Sequence, residues 1–112
     1  TTSEGKDRID GNHTRPEWVS LSGKIDGQPA ALTVMGHPTN YGFPQPVRLH
    51  PTKPYFCFAP MVLGEFKLEK SRPYVSRYRF LVHDGALDQV LNRSVWSDYA
   101  EPPSVRSVKG EE

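Results

Sequence analysis

Apolar and polar residues alternate most regularly between positions 74 and 83. Tyr74, Ser76, Tyr78, Phe80 and Val82 fall on one parity, and Val75, Arg77, Arg79, Leu81 and His83 on the other. A period of two marks a strand, and the aromatic parity is expected to face the core. Upstream, Trp18, Val19, Leu21 and Ile25 precede Asp26-Gly27, and an apolar run from Ala30 to Met35 follows. Asp-Gly between two such runs predicts a hairpin, with strands over 17–24 and 30–35. Residues 47–50 read as a short extended segment, and 55–58 as a buried strand that Pro60 stops. Residues 62–68 read as a further strand, with Gly64 marking a bend. After Asp84, a candidate N-cap, the spacing of Leu87, Val90, Leu91, Val95 and Tyr99 predicts a helix over 86–100, which Pro102-Pro103 ends. An edge strand is expected over 105–108.

These elements predict an all-β fold, an antiparallel β-sandwich present in part, with one C-terminal α-helix. At 112 residues the chain is one domain. Residues 1–15 are polar and carry Gly5 and Gly11, which reads as a loop or disordered end. Eleven prolines and nine glycines agree with short elements and many turns. The formal net charge is +1, from 14 basic and 13 acidic residues, so the one-signed footprint that phosphate backbones require is missing and nucleic acid is not an expected partner. No apolar run nears the roughly 20 residues that cross a bilayer, so no membrane partner is expected. Cys57 is alone, flanked by aromatics, and is expected to be a small buried apolar residue with no disulfide.

The chemistry concentrates in residues 36–55, GHPTNYGFPQPVRLHPTKPY, which hold two of the four histidines and five of the eleven prolines. So many prolines exclude a helix or a central strand, and so long a connection in a small domain is usually functional or disordered. Tyr41, Phe43, Val47 and Leu49 are apolar anchors, so an ordered surface loop and binding face is expected. His37 and His50 are 13 positions apart and can meet in one cleft as general acid and base, with Asn40, Arg48 and Tyr55 orienting a hydroxyl-rich substrate. Two histidines are too few for a zinc site, and with no metal motif present neither a metal nor a cofactor is assigned. The alternative reading has His37 and Asn40 tie down loop backbone and leaves Arg48 a solvated charge. Trp18, Trp96 and Tyr99 read as core residues first and sugar-stacking platforms second.

Four segments together, GKIDGQPAALTVMGHPTN, QPVRLHPTKPYF, YRFLVHDG and WSDYAEPP, resemble the C-terminal half of the bacterial proteins known as methane oxygenase PmoA-like, over about residues 3–108. The resemblance implies a β-sandwich of which this chain is the later part, with a His-rich Pro-His-His-Arg-Gly segment in an earlier half. It also implies a secreted or periplasmic location and sugar or glycoside chemistry rather than methane oxidation. The family pattern is Asp-His-Pro-x-Asn. Here His37, Pro38 and Asn40 match it, and Gly36 stands in place of the acid.

The expected function is therefore to bind or act on a carbohydrate-like small molecule through residues 36–55, and the sequence does not decide whether catalysis is involved. Two alternatives stand beside it: a non-catalytic β-sandwich module for glycans or a protein partner, and a structural half-domain. As a half-domain it needs the earlier half, or another chain, to complete the sandwich.

Overall fold

A computed structural model describes residues 1–110. The fold is predominantly β with one helix. Strands β1 (Trp18–Ile25) and β2 (Gln28–Gly36) form the predicted hairpin, with Ile25 paired to Gln28 across Asp26-Gly27. Both turn residues have positive φ, 51° and 78°, the geometry a two-residue hairpin needs to match the strands' twist. The pair β3 (Val47–Leu49) and β4 (Phe56–Phe58) makes a second, two-stranded sheet. Strand β5 (Tyr78–Asp84) joins the first sheet beside β2, giving the antiparallel order β1-β2-β5. Helix α1 (Gln89–Ala100) follows.

Several sequence expectations are corrected. Residues 62–68 form no strand. Pro60–Leu63 is a single 3-10 turn, and Gly64 follows it at a φ of 128°. The chain then runs out in an arm with no sheet neighbour to supply a ladder. Its tip is a tight bridge between Glu69 and Arg72, and its base is held by Phe66, which lies 4.7 Å from Tyr41 and 5.7 Å from Tyr74 between ring centres. The strand expected from 74 begins at Tyr78, because Gly36, the last residue of β2, pairs there. The helix begins at Gln89 and its cap is Asp88, whose carboxylate accepts the Leu91 N–H at 2.9 Å. Asp84 instead remains in the sheet, opposite Ala30. Residues 105–108 form no strand and are exposed.

The helix packs on one face of the three-stranded sheet through polar groups. The sheet presents Trp18, Ser20, Thr33 and Met35 to it, all buried. Of the helix residues expected to face inward, Val90 is 83% exposed. Buried Asn92 takes the central place. Its amide donates to Ser20 Oγ at 3.2 Å and its carbonyl accepts from Thr33 Oγ1 at 3.2 Å, while the two hydroxyls lie 2.7 Å apart. With Ser20 donating to Thr33 the three side chains close a ring in which every donor has an acceptor, the condition under which buried polar groups are tolerated. Gln89 extends the contact, accepting from Trp18 Nε1 at 3.0 Å and donating to the Thr2 carbonyl at 2.9 Å.

The opposite face carries Val19, Leu21, Leu32, Val34, Phe80 and Val82, on the parity set by the register. The β3–β4 pair covers one end of it, where Val19, Val47 and Leu49 are buried against Phe56 and Phe58. Phe80 and Val82 stay 66% and 72% exposed. The aromatic parity of β5 is expected to face a core, and among the described residues nothing encloses Phe80 and Val82.

Residues 1–15 line the molecule from β1 to β3. Thr2 bridges Val19, Asn12 Oδ1 accepts the Leu49 N–H at 2.9 Å, and His13 and Thr14 exchange backbone bonds with Val47. Gly11 permits this close course, since a Cβ there would lie 2.6 Å from the Asp7 carbonyl and 2.8 Å from the Thr2 methyl.

Replacing Asn92 with Ala leaves Ser20 and Thr33 buried with one partner fewer each. The expected loss is about 2–3 kcal/mol in urea unfolding, with the exposed Val90→Ala variant unchanged within ~0.5 kcal/mol.

Candidate functional site

The first histidine, His37, follows β2. The Thr39 N–H donates to its Nδ1 at 3.1 Å, Thr39 Oγ1 lies 2.7 Å from the same atom, and the ring stands edge-on to Tyr99 of α1 at 4.9 Å. The second, His50, follows β3 and repeats the geometry. Thr52 N–H donates to its Nδ1 at 3.1 Å and Lys53 N–H at 2.9 Å, and the ring lies 4.8 Å from Tyr55. Both turns are His-Pro-Thr. Proline has no N–H to give, so the next amide turns back onto the imidazole. Each neutral ring then carries its proton on Nε2, leaving that nitrogen as the only one that can donate to a ligand.

The two histidines are not brought to one cleft. His37 belongs to the helix side of the sheet with Tyr99, whereas His50 belongs to the β3–β4 loop. Asn40 is buried and bonds protein backbone: its amide donates to the Arg77 carbonyl at 2.8 Å and its carbonyl accepts the Arg77 N–H at 2.7 Å. A side chain thereby continues the β2–β5 ladder one step past its last backbone pair. Arg48 is exposed on β3 opposite Cys57, and Cys57 is itself exposed, against expectation. Trp18 is 1% exposed and Trp96 donates its indole N–H to the Gly36 carbonyl at 2.9 Å. Arg93 lies over both indoles, 4.4 and 5.7 Å from their centres, and bonds Glu17 at 2.7 Å.

His50 and Tyr55 do come together, in a cleft of about 350 Å³ between the β3–β4 loop and the turn at residues 7–10. Asp7, Arg8 and Lys53 stand on its walls with them. Asp7 Oδ1 accepts the N–H groups of Ile9 and Asp10 at 2.9 and 2.8 Å, and these bonds hold its carboxyl below the usual carboxylate range. Around the corner lies a trough of about 410 Å³ floored by Leu21, Leu32, Val34 and Phe80 and walled by Tyr55, Phe56 and Phe58. Tyr78, at its end, donates its hydroxyl to Gln45 Oε1, and burial pushes its phenol above the ordinary range. Among the described residues no three His, Cys, Asp or Glu side chains are grouped to hold a metal ion.

A family model matches residues 1–97. The chain belongs to that family, a family of unknown function (DUF6807). No curated protein and no solved structure matches the chain. The DUF6807 match covers both His-Pro-Thr turns, the cleft, the trough and most of α1.

Asp7, Arg8 and Lys53 were missed as site residues, since charged side chains in polar turns carry no periodic signal. The repeated His-Pro-Thr tripeptide was the legible signal for the two turns. In the DUF6807 chain, Asn40→Ala removes both bonds to Arg77. It should cost about 1–3 kcal/mol and raise amide exchange at Arg77 and Tyr78 ahead of the rest of β5, which hydrogen-exchange NMR resolves; unchanged exchange there would mean that Asn40 is no clamp.

Proposed function

We propose that this DUF6807 chain is one layer of a β-sandwich and acts chiefly as an assembly and binding module rather than as a self-sufficient enzyme. The observation that carries this reading is the uncovered apolar face of the β1-β2-β5 sheet. Residues Leu21, Leu32, Phe80 and Val82 occupy neighbouring positions there with no charged residue between them, and antiparallel sheets usually pack one face on a core.

The dimensions support it. The chain exposes 8158 Å², whereas a folded monomer of its 12.6 kDa mass exposes about 6,200 Å². Its radius of gyration is 17.1 Å against about 13 Å for a compact chain of this length, and its least extent is 23 Å. Part of the excess lies in the arm at 64–77 and in residues 101–110. The covering layer is further β-structure, from an earlier half of the same polypeptide, as the PmoA-like resemblance implies, or from another chain.

A second reading concerns the His50–Tyr55 cleft, which we take as the place where a carbohydrate-like small molecule binds. Tyr55 is 57% exposed beside a concavity with polar walls, the combination of an aromatic surface with a few directed polar groups that ligand sites show. His37 is outside that cleft, so paired-histidine catalysis receives no support from it.

The isolated chain should give a dispersed NMR spectrum and still bind an apolar dye such as anilinonaphthalene sulfonate. The double variant Phe80→Lys, Val82→Lys should lose dye binding while its melting temperature falls by less than about 5 °C, since exposed residues contribute little to stability. A wild-type chain that binds no dye, or a double variant that unfolds, would show that the face is already covered.

A further inference from the structure

Three charged side chains, Asp7, Arg8 and Lys53, line the cleft. Three ion pairs occur among the described residues, Lys6 with Glu4, Arg72 with Glu69 and Arg93 with Glu17. Arg8 and Lys53 enter none of them, yet both stand on the wall of the same cavity. The carboxylate nearest in sequence, Asp7, has Oδ1 committed to two backbone N–H groups. His50 adds an imidazole whose Nδ1 is committed to the turn, which leaves Nε2–H as a donor. Tyr55 contributes an exposed ring.

We propose that this cleft binds an acidic sugar of the hexuronate type, with its carboxylate on Arg8 and Lys53 and its ring against Tyr55. The proposal rests on the small-molecule reading above and adds the charge of the ligand to it. A guanidinium presents paired donors that match a carboxylate, and an ammonium adds a point charge. His50 Nε2–H and the free oxygen of Asp7 are then the donor and acceptor for the ring hydroxyls, the alternation a vicinal diol recognises. The apolar face of a pyranose lies on the Tyr55 ring, at the entrance to the trough. Sugars without the carboxylate leave the two cations solvated and gain only the ring and hydroxyl contacts.

The test titrates galacturonate and galactose separately into the 112-residue chain and follows the amide and Tyr55 signals by NMR. Galacturonate should bind at least about fivefold tighter than galactose, equivalent to about 1 kcal/mol, and the advantage should shrink as salt rises from ~0.05 to ~0.5 M. Arg8→Gln and Lys53→Gln, both at exposed positions, should each remove most of that advantage without changing galactose binding. Tyr55→Ala should weaken both sugars. Equal affinity for the two sugars, or an advantage that survives both charge variants, overturns the acidic-sugar inference and leaves the small-molecule reading standing; shifts from neither sugar overturn both.

Discussion

The ring of hydrogen bonds among Ser20, Thr33 and Asn92 fixes the relation of the helix to the sheet, and everything else is placed with respect to it. Once α1 is seated by buried polar groups, Trp18 and Met35 are enclosed on the same face and Trp96 reaches the Gly36 carbonyl. A polar seat is also directional. An apolar stripe tolerates rotation of a helix about its axis, whereas three side chains that satisfy one another accept one orientation. The cost is that none of the three can be removed singly without stranding a buried donor or acceptor.

From that seat the two sheet faces acquire different characters. The helix face is closed by polar and aromatic contacts, including Arg93 over two indoles. The other is covered by β3–β4 at the Val19 end and left open toward Phe80 and Val82. The His-Pro-Thr turns stand on the two sides of this arrangement. One leaves β2 beside the helix, and the other closes β3 beside the cleft. Their shared geometry is a backbone device first, because each imidazole spends one nitrogen on the amide that proline displaces. What remains for a ligand is a single Nε2–H per ring, and of the two histidines it is His50 that lines the cleft with charged walls.

The proposal that the chain is one layer of a sandwich rests on the part of the β1-β2-β5 sheet where Phe80 and Val82 stay exposed. The DUF6807 match over residues 1–97 takes in both the cleft and the trough. Tyr55 and Phe56 line both the cleft and the trough, so the two concavities share a wall.

By itself the sequence determined the local features. Asp26-Gly27 dictated a hairpin because both positions must adopt positive φ, and the alternation around Phe80 dictated a strand because side chains in a strand point to opposite faces. The prolines of 36–55 excluded a helix or central strand by removing backbone donors, and the apolar anchors Tyr41, Phe43, Val47 and Leu49 marked the segment as ordered. Tertiary structure decided the rest, because each remaining question turned on a distant neighbour. Residues 62–68 had the composition of a strand and no ladder to join, and β5 began at Tyr78 because β2 ended at Gly36. The inward face of α1 was set by Asn92, whose value depends on two hydroxyls more than fifty residues away in the chain. Asn40 proved to be a clamp and His50 part of a cleft with Arg8, a meeting that requires the first turn of the chain to fold back along β1 and β3. Sequence spacing measures separation along the chain, and a site depends on separation in space.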